Sequence, residues 1–141
     1  MKNQSLKVNL HELNQVNDSV LTRVVCVCLY KNKWVFCKKK ETNTWEIPGG
    51  HIEENENWLT AAKRELFEET GATEVEIFPV CLYSISTYGK LCFAKIKTLE
   101  KLPNFEMKEI GFFDDIPNNL TYPETHKLFF ETVKNFLKNN K

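Results

Sequence analysis

Three glutamates are spaced so that together they could hold a metal ion. Glu65, Glu68 and Glu69 occupy positions i, i+3 and i+4 of a segment predicted to be helical, and at about 100° per residue their side chains fall within one sector of roughly 100°. Like charges at this spacing repel one another, at a cost of about 0.2–0.5 kcal/mol per pair on an exposed helix. A hard divalent cation removes that repulsion and takes oxygen ligands. The pattern therefore indicates a site for Mg²⁺ or Mn²⁺.

Two consecutive glycines, Gly49 and Gly50, come shortly before this helix and follow Pro48. The Pro-Gly-Gly run is a strong turn signal. Because glycine lets the backbone approach a ligand closely, we expect a carbonyl of this pair to complete the shell of the metal.

The segment 50–72 resembles the Nudix box, Gly-x5-Glu-x7-Arg-Glu-U-x-Glu-Glu-x-Gly-U, in which U is a bulky aliphatic residue. The last U position holds Ala72, which is smaller than the usual residue and is interpreted as a packing variation. Residues 45–49, WEIPG, also resemble the usual approach to the box. All seven fixed positions are present: Gly50, Glu56, Arg64, Glu65, Glu68, Glu69 and Gly71.

The resemblance implies an enzyme that hydrolyses a nucleoside diphosphate linked to another moiety. Glu65, Glu68 and Glu69 would hold the divalent cation, Mg²⁺ with Mn²⁺ as a substitute, and Glu65 or Glu69 would activate the attacking water. Arg64 would orient a glutamate of the box through a charge-assisted hydrogen bond. A backbone carbonyl, from Gly50 or the residue before it, would reach the metal.

Many members of the family add a carboxylate from beyond the box. Glu109, which precedes a short apolar stretch over residues 110–113, is the first candidate here, and Glu106 is the second. The one that takes this role would act as an additional metal ligand.

Substrate contacts are expected from three further residues. Lys38 and Lys39 are candidates for phosphate binding, because basic residues at this place are frequent in MutT-like members; the alternative is that they form only the exposed end of a hairpin. Tyr88 lies 16 residues after Ala72, a spacing that often accompanies activity on dinucleoside polyphosphates.

The histidines and cysteines show no metal-binding pattern. The five cysteines form no CxxC pair and lie among apolar neighbours, which indicates buried thiols in a reducing compartment. His11, His51 and His126 are interpreted as surface or packing residues.

The elements that must position these residues are two helices and several strands, which predicts an α/β fold. The implied Nudix fold is an α/β/α sandwich with a central mixed sheet, the box helix and a C-terminal helix. On the box helix, Leu59, Ala62 and Leu66 form the predicted core face. The C-terminal helix is predicted to follow a capping box formed by Thr121 and Glu124. Predicted strands cover 5–12, 22–30, 33–39, 44–47, 75–86, 91–96 and 110–113, with the turn of the hairpin at 88–90, and the box helix covers 57–70.

Composition sets the remaining limits. The 141 residues suit one domain, interpreted as a single Nudix hydrolase domain over 1–141. The 19 basic and 19 acidic residues give zero net charge, which argues against a protein that coats nucleic acid. No secretory signal or membrane span is visible, so a cytoplasmic location and no membrane partner are expected. The chain is expected to be a monomer or a homodimer.

The substrate is expected to be a small nucleotide. The compact size is typical of MutT-like enzymes, which favours hydrolysis of a nucleoside triphosphate, with oxidised nucleotides such as 8-oxo-dGTP included, to the monophosphate and pyrophosphate. Dinucleoside polyphosphates and ADP-ribose are the alternatives. A nucleotide sensor without activity and an enzyme acting on RNA 5′ ends are more remote, because the box keeps its acids and the net charge is zero.

Overall fold

The structure is a computed structural model that describes residues 7–101 and 107–140. This part of the chain forms eight strands, two α-helices and one short 3-10 turn at Asp18–Val20. In chain order the elements are β1 (Asn9–His11), β2 (Arg23–Tyr30), β3 (Lys33–Lys39), β4 (Trp45–Glu46), β5 (Gly49–His51), α1 (Trp58–Thr70), β6 (Ala72–Ile85), β7 (Thr87–Leu99), β8 (Met107–Phe113) and α2 (Pro123–Asn139).

The strands form one mixed sheet. Its main path runs β1-β6-β7-β2-β3-β4, while β5 also pairs with β2 and β8 pairs with β3. Strands β2 and β7 are parallel, whereas β6 and β7 form a long antiparallel hairpin. The sheet thus brings β5, which carries the two glycines, beside the first residues of β2.

A helix covers each face of the sheet. Alternate residues of β2 supply the two cores, because successive side chains of a strand point to opposite faces. Val24 and Cys26 pack in the cluster that contains Ala62 and Leu66 of α1. Val27 belongs to the second cluster, with Phe36, Phe129, Phe130 and Val133. This arrangement confirms the α/β/α sandwich with its mixed sheet and two helices.

Most of the predicted elements are present, with strands β2 and β3 within one residue of their predicted limits. The turn of the long hairpin was wrongly predicted. It lies at Ser86, which has a φ of 62°, and residues 88–90 continue β7. Gly89, the glycine of that segment, leaves room for the ring of Tyr83.

Two further local predictions were wrong. Gly49 and Gly50 do not form a free turn but pair with Val25 and Val24 as part of β5. The N-cap of α2 is Tyr122, which makes no side-chain capping bond, with Pro123 as the first residue of the helix. The hydroxyl of Thr121 bonds to that of Thr44 instead, so the predicted capping box does not form.

Four of the five cysteines are buried and Cys81 is half-buried, all as free thiols. In the segments that the structure describes, no helix combines the length and the apolar character needed to cross a bilayer.

Candidate active site

Helix α1 is bounded by a capping residue at each end. The side chain of Asn57 accepts a hydrogen bond from the Thr60 amide at 2.8 Å and so caps the N-terminus. Gly71 ends the helix with a φ of 85°, in the left-handed region that glycine adopts without strain. Ala61, Ala62 and Leu66 are buried. The predicted core position Leu59 is instead 38% exposed.

The acidic face of α1 lies against β5, whose two glycines avoid clashes with β2 and with α1. The amide of Gly49 donates a hydrogen bond of 2.8 Å to Oε1 of Glu69. A Cβ atom on residue 50 would lie 2.4 Å from the carboxylate of Glu65. At Gly49 the same atom would lie 2.5 Å from the carbonyl oxygen of Val24. A side chain at position 50 would therefore displace the carboxylate of Glu65, and one at position 49 would clash with the backbone of β2.

Arg64 joins the loop before α1 to the acidic face. Its guanidinium donates to both oxygens of Glu56, at 2.7 and 2.9 Å, and to the carbonyl oxygen of His51 at 3.0 Å. A further bond of 3.0 Å reaches Glu65, and one of 3.4 Å reaches Glu68. The bond from Arg64, with help from the Glu53 amide, lowers the pKa of Glu56 to about 2. Glu56 raises the pKa of Arg64 in return. This bidentate pair is therefore charged on both sides at neutral pH.

Two glutamates of the face are held where a charge is poorly solvated. Burial raises the pKa of Glu69 to about 8, although the hydrogen bond from the Gly49 amide acts in the opposite direction. Burial also raises the pKa of Glu65, against the hydrogen bond from Arg64. The neighbouring charge of Glu65 adds to the shift at Glu69. A cation bound nearby would stabilise the charged forms of both carboxylates and so lower their pKa values.

These residues line a cleft of ≈ 520 Å³ between α1, β5 and the ends of β2 and β3. The glutamates occupy one side, and the basic residues Arg23 and Lys39 contribute to the rest of the lining. Such a cleft combines ligands for a cation with groups that attract phosphate. The described residues that line it are Arg23, Lys39, Glu46, Gly49, Gly50, His51, Glu53, Arg64, Glu65, Glu68, Glu69 and Tyr122.

The lining fits a divalent cation by its chemistry. The candidate ligands are carboxylate and carbonyl oxygens, which Mg²⁺ and Mn²⁺ prefer. Glu46 adds a buried Oε2 that has no hydrogen-bond partner within the described part of the chain. In the arrangement shown, however, no three acidic, histidine or cysteine side chains of residues 7–101 and 107–140 converge on one point. Arg64 lies among the glutamates instead, so ligation would require these carboxylates to turn toward the cation.

The expected site residues separate into two groups. Arg64, Glu65, Glu68, Glu69, Gly50 and Lys39 meet in the cleft. Lys38 lies on the face of the sheet that packs against α2, with its Nζ 4.4 Å from the centre of the Trp45 ring. Glu109 is paired with Lys38 at 3.9 Å and is half exposed. Tyr88 packs against His11, with ring centres 5.3 Å apart. The geometry thus gives no support to Lys38, Glu109 or Tyr88 as cleft residues, and Glu106 lies outside the described residues.

Five cleft residues were not expected from the sequence: Arg23, Glu46, His51, Glu53 and Tyr122. His51 had been interpreted as a surface or packing residue, yet its Nε2 lies 3.2 Å from Nη1 of Arg23. The sequence does contain an indication that Arg23 lies near a site. A charged residue at the start of a strand that is buried on both faces lies at the edge of the core. Tyr122 is 59% exposed and lies at the start of α2. It is far from residues 50–72 in the sequence, so the spacing of residues does not predict its place in the cleft.

Comparison with known proteins gives a consistent result. A model of the NUDIX domain matches residues 20–92. Over 71 residues, 48% of the chain, the sequence is 39% identical to an RNA pyrophosphohydrolase of Pelagibacter ubique, of which the match covers 45%. Over 52 residues, 34% of the chain, it is 40% identical to an 8-oxo-dGTP diphosphatase of Buchnera aphidicola, of which 40% is covered. The chain therefore matches less than half of the length of each of these two relatives.

A solved structure resembles almost the whole chain. The crystal structure of a Bacillus subtilis pyrophosphohydrolase superposes with a TM-score of 0.80, over 94% of this chain and 90% of the other. The sequence identity is 24%, so this likeness establishes the shared fold.

Proposed function

Because the chain belongs to the NUDIX domain family, we propose that it is a hydrolase that cleaves a phosphoanhydride bond of a nucleoside triphosphate and depends on Mg²⁺ or Mn²⁺. The products would be the nucleoside monophosphate and pyrophosphate. The observation that carries the proposal is the cleft itself, which is lined both by the acidic face of α1 and by the basic residues Arg23 and Lys39.

The proposed ligands are Glu65, Glu68 and Glu69, with a carbonyl of Gly50. When bound, a divalent cation neutralises the phosphate oxygens and makes a coordinated water more acidic. Glu65 or Glu69 is proposed to accept the proton of the attacking water, since both line the cleft. Arg64 would act as a positioning residue, because it fixes Glu65 and the loop that carries Glu56.

The basic residues of the cleft would bind the substrate. Lys39 lies 3.9 Å from Glu46, at the end of β3, and would contact phosphate there. The exposed ring of Tyr122 offers a surface on which a base can stack. These contacts involve the phosphates and a flat apolar face, which do not distinguish one base from another.

A second candidate substrate is the triphosphorylated 5′ end of an RNA. It is favoured by the likeness to the RNA pyrophosphohydrolase of Pelagibacter ubique. The chemistry at the phosphates would be the same, but the cleft would then hold the first nucleotide of a longer chain. The expectation that no nucleic acid is bound would be wrong in that case.

A substrate panel with product analysis tests the proposal. The purified protein would be incubated in Mg²⁺ with nucleoside triphosphates, 8-oxo-dGTP, a dinucleoside tetraphosphate, ADP-ribose and triphosphorylated RNA. We expect the highest kcat/KM for a nucleoside triphosphate, with pyrophosphate released. A higher value for RNA would support the second candidate.

The matched control is the double variant Glu65→Gln, Glu69→Gln, purified in the same way, which should show no turnover above background. Equal hydrolysis by this variant and by the wild-type chain would identify a contaminating phosphatase. Absence of hydrolysis of every phosphoanhydride in the panel would contradict the proposed function.

A further inference from the structure

Four strands place four residues in one row across the sheet. His51 of β5 pairs with Arg23 of β2, Arg23 pairs with Gly89 of β7, and Gly89 pairs with Tyr83 of β6. Residues that are directly opposite each other on neighbouring strands have side chains on the same face. His51, Arg23 and Tyr83 therefore lie side by side, with the glycine between the last two.

The glycine lets Tyr83 reach Arg23. A Cβ atom on residue 89 would lie 2.3 Å from Cζ of Tyr83 and 2.5 Å from its hydroxyl oxygen. The tyrosine ring thus occupies the space above Gly89, which places its hydroxyl beside Arg23. Burial raises the pKa of Tyr83, whereas the neighbouring guanidinium of Arg23 acts in the opposite direction. Tyr83 is itself fixed, since it is 2% exposed and its ring centre lies 4.8 Å from that of Phe129.

The second neighbour of Arg23 is a ring nitrogen. Nη1 of Arg23 lies 3.2 Å from Nε2 of His51. Because arginine has no acceptor atom, Nη1 donates and Nε2 accepts in this contact. Neither His51 nor Tyr83 is a carboxylate, so these neighbours position the guanidinium without forming an ion pair with it.

The other two cations of the cleft are paired with acids. Arg64 contacts Glu53, Glu56, Glu65 and Glu68 within 4 Å, and Lys39 lies 3.9 Å from Glu46. Within the described part of the chain, no carboxylate forms an ion pair with Arg23. Arg23 thus contributes a positive charge that no ion pair of the described residues compensates, in a cleft that glutamates also line.

We infer that Arg23 is the principal phosphate-binding residue of the cleft, and that Tyr83 is a positioning residue that aims it. A planar guanidinium binds two phosphate oxygens at once, which a lysine does not. The ligand is one phosphate of a polyphosphate chain. This inference deepens the proposed function and rests on it for the nature of the ligand.

The test measures the binding of inorganic pyrophosphate in the presence of Mg²⁺ by calorimetry, so that it does not depend on turnover. We expect Arg23→Gln to weaken binding by about 10- to 100-fold, as for loss of a charged hydrogen bond. Arg23→Lys should give an intermediate loss. The control Lys63→Gln removes one exposed positive charge of α1 outside the cleft and should stay within about twofold of the wild-type value.

A double-variant cycle tests the role of Tyr83. Tyr83→Phe keeps the buried ring and removes the hydroxyl, so we expect severalfold weaker binding of pyrophosphate, and no further loss when it is combined with Arg23→Gln. A purely structural role would instead weaken binding equally in both backgrounds. Circular dichroism and urea unfolding of each variant would establish that it is folded.

The inference is overturned if the wild-type chain does not bind pyrophosphate, or if Arg23→Gln and Arg23→Lys both bind it as tightly as Lys63→Gln does. Normal hydrolysis of nucleotides with such a result would leave the proposed function intact. Conversely, pyrophosphate binding that depends on Arg23 without any hydrolysis would contradict the proposed function alone.

Discussion

Arg64 shows how one side chain orders the candidate site. Its guanidinium donates hydrogen bonds to both carboxylate oxygens of Glu56 and to the carbonyl oxygen of His51. It also donates one to Glu65. A lysine would supply the charge but not this planar set of donors. The arginine therefore connects the loop that follows β5 to the acidic face of α1, and the positions of the glutamates depend on it.

His126 provides a prediction at the same scale. Its ring is buried, and neither nitrogen has a hydrogen-bond partner among the described residues. Burial lowers the pKa of His126 to about 4 from an ordinary value near 6.5. Since the unfolded chain takes up this proton at the higher pH, the folded state should lose about 3 kcal/mol of stability as the pH falls from about 6.5 to about 4.

The measurement is urea unfolding of the wild-type chain and of His126→Phe, which keeps an aromatic ring but does not titrate. As the pH falls through that range, we expect the unfolding free energy of His126→Phe to rise relative to that of the wild-type chain. Above that range the difference between the two should be constant. A difference that does not change with pH would show that His126 is not buried as a neutral group.

At the scale of elements, the site depends on the contact between α1 and β5. Gly50 leaves room for the carboxylate of Glu65, and Gly49 allows β5 to pair closely with β2, where its amide reaches Glu69. Gly71 ends the helix, and the chain then turns directly into β6. Three glycines thus help to position the glutamates, each for a separate steric reason.

The role of Gly71 as the C-cap of α1 can be tested with the substitution Gly71→Ala. An alanine would be strained at a φ of 85°, and its Cβ would lie 2.5 Å from the carbonyl oxygen of Glu100. We expect the free energy of unfolding to fall by at least about 1–2 kcal/mol. Lys63→Ala, an exposed change within the same helix, should alter it by less than about 0.5 kcal/mol, and an equal effect of the two would contradict this account of the C-cap.

The elements were largely predictable because their signals are local. Apolar stretches on either side of a polar turn at residues 31–33 indicated β2 and β3, and the helical spacing of Glu65, Glu68 and Glu69 gave the acidic face of α1. The cleft was only partly predictable, because its other side comes from residues that meet through pairing of distant strands. Lys38 and Lys39 illustrate the limit: as neighbours on a strand they point to opposite faces, and the sequence does not reveal which of the two reaches the cleft.

For the whole molecule, the zero net charge conceals a concentration of charges of both signs in one cleft. Glutamates of α1 line it together with the basic residues Arg23, Lys39 and Arg64. Such an arrangement suits a ligand that carries negative charge itself and arrives with a cation. The neutral total therefore says little about the substrate, whereas the distribution of charge favours a polyphosphate.

The most direct test of this account is the turnover of a nucleoside triphosphate by the wild-type chain, Glu69→Gln and Lys63→Gln, with release of pyrophosphate as the readout. We expect hydrolysis in Mg²⁺ that stops on addition of a chelator. The Glu69→Gln rate should be at least about 100-fold lower, and the Lys63→Gln rate should be unchanged. A folded Glu69→Gln variant that hydrolyses the nucleotide at the wild-type rate would contradict the proposed role of the acidic face of α1.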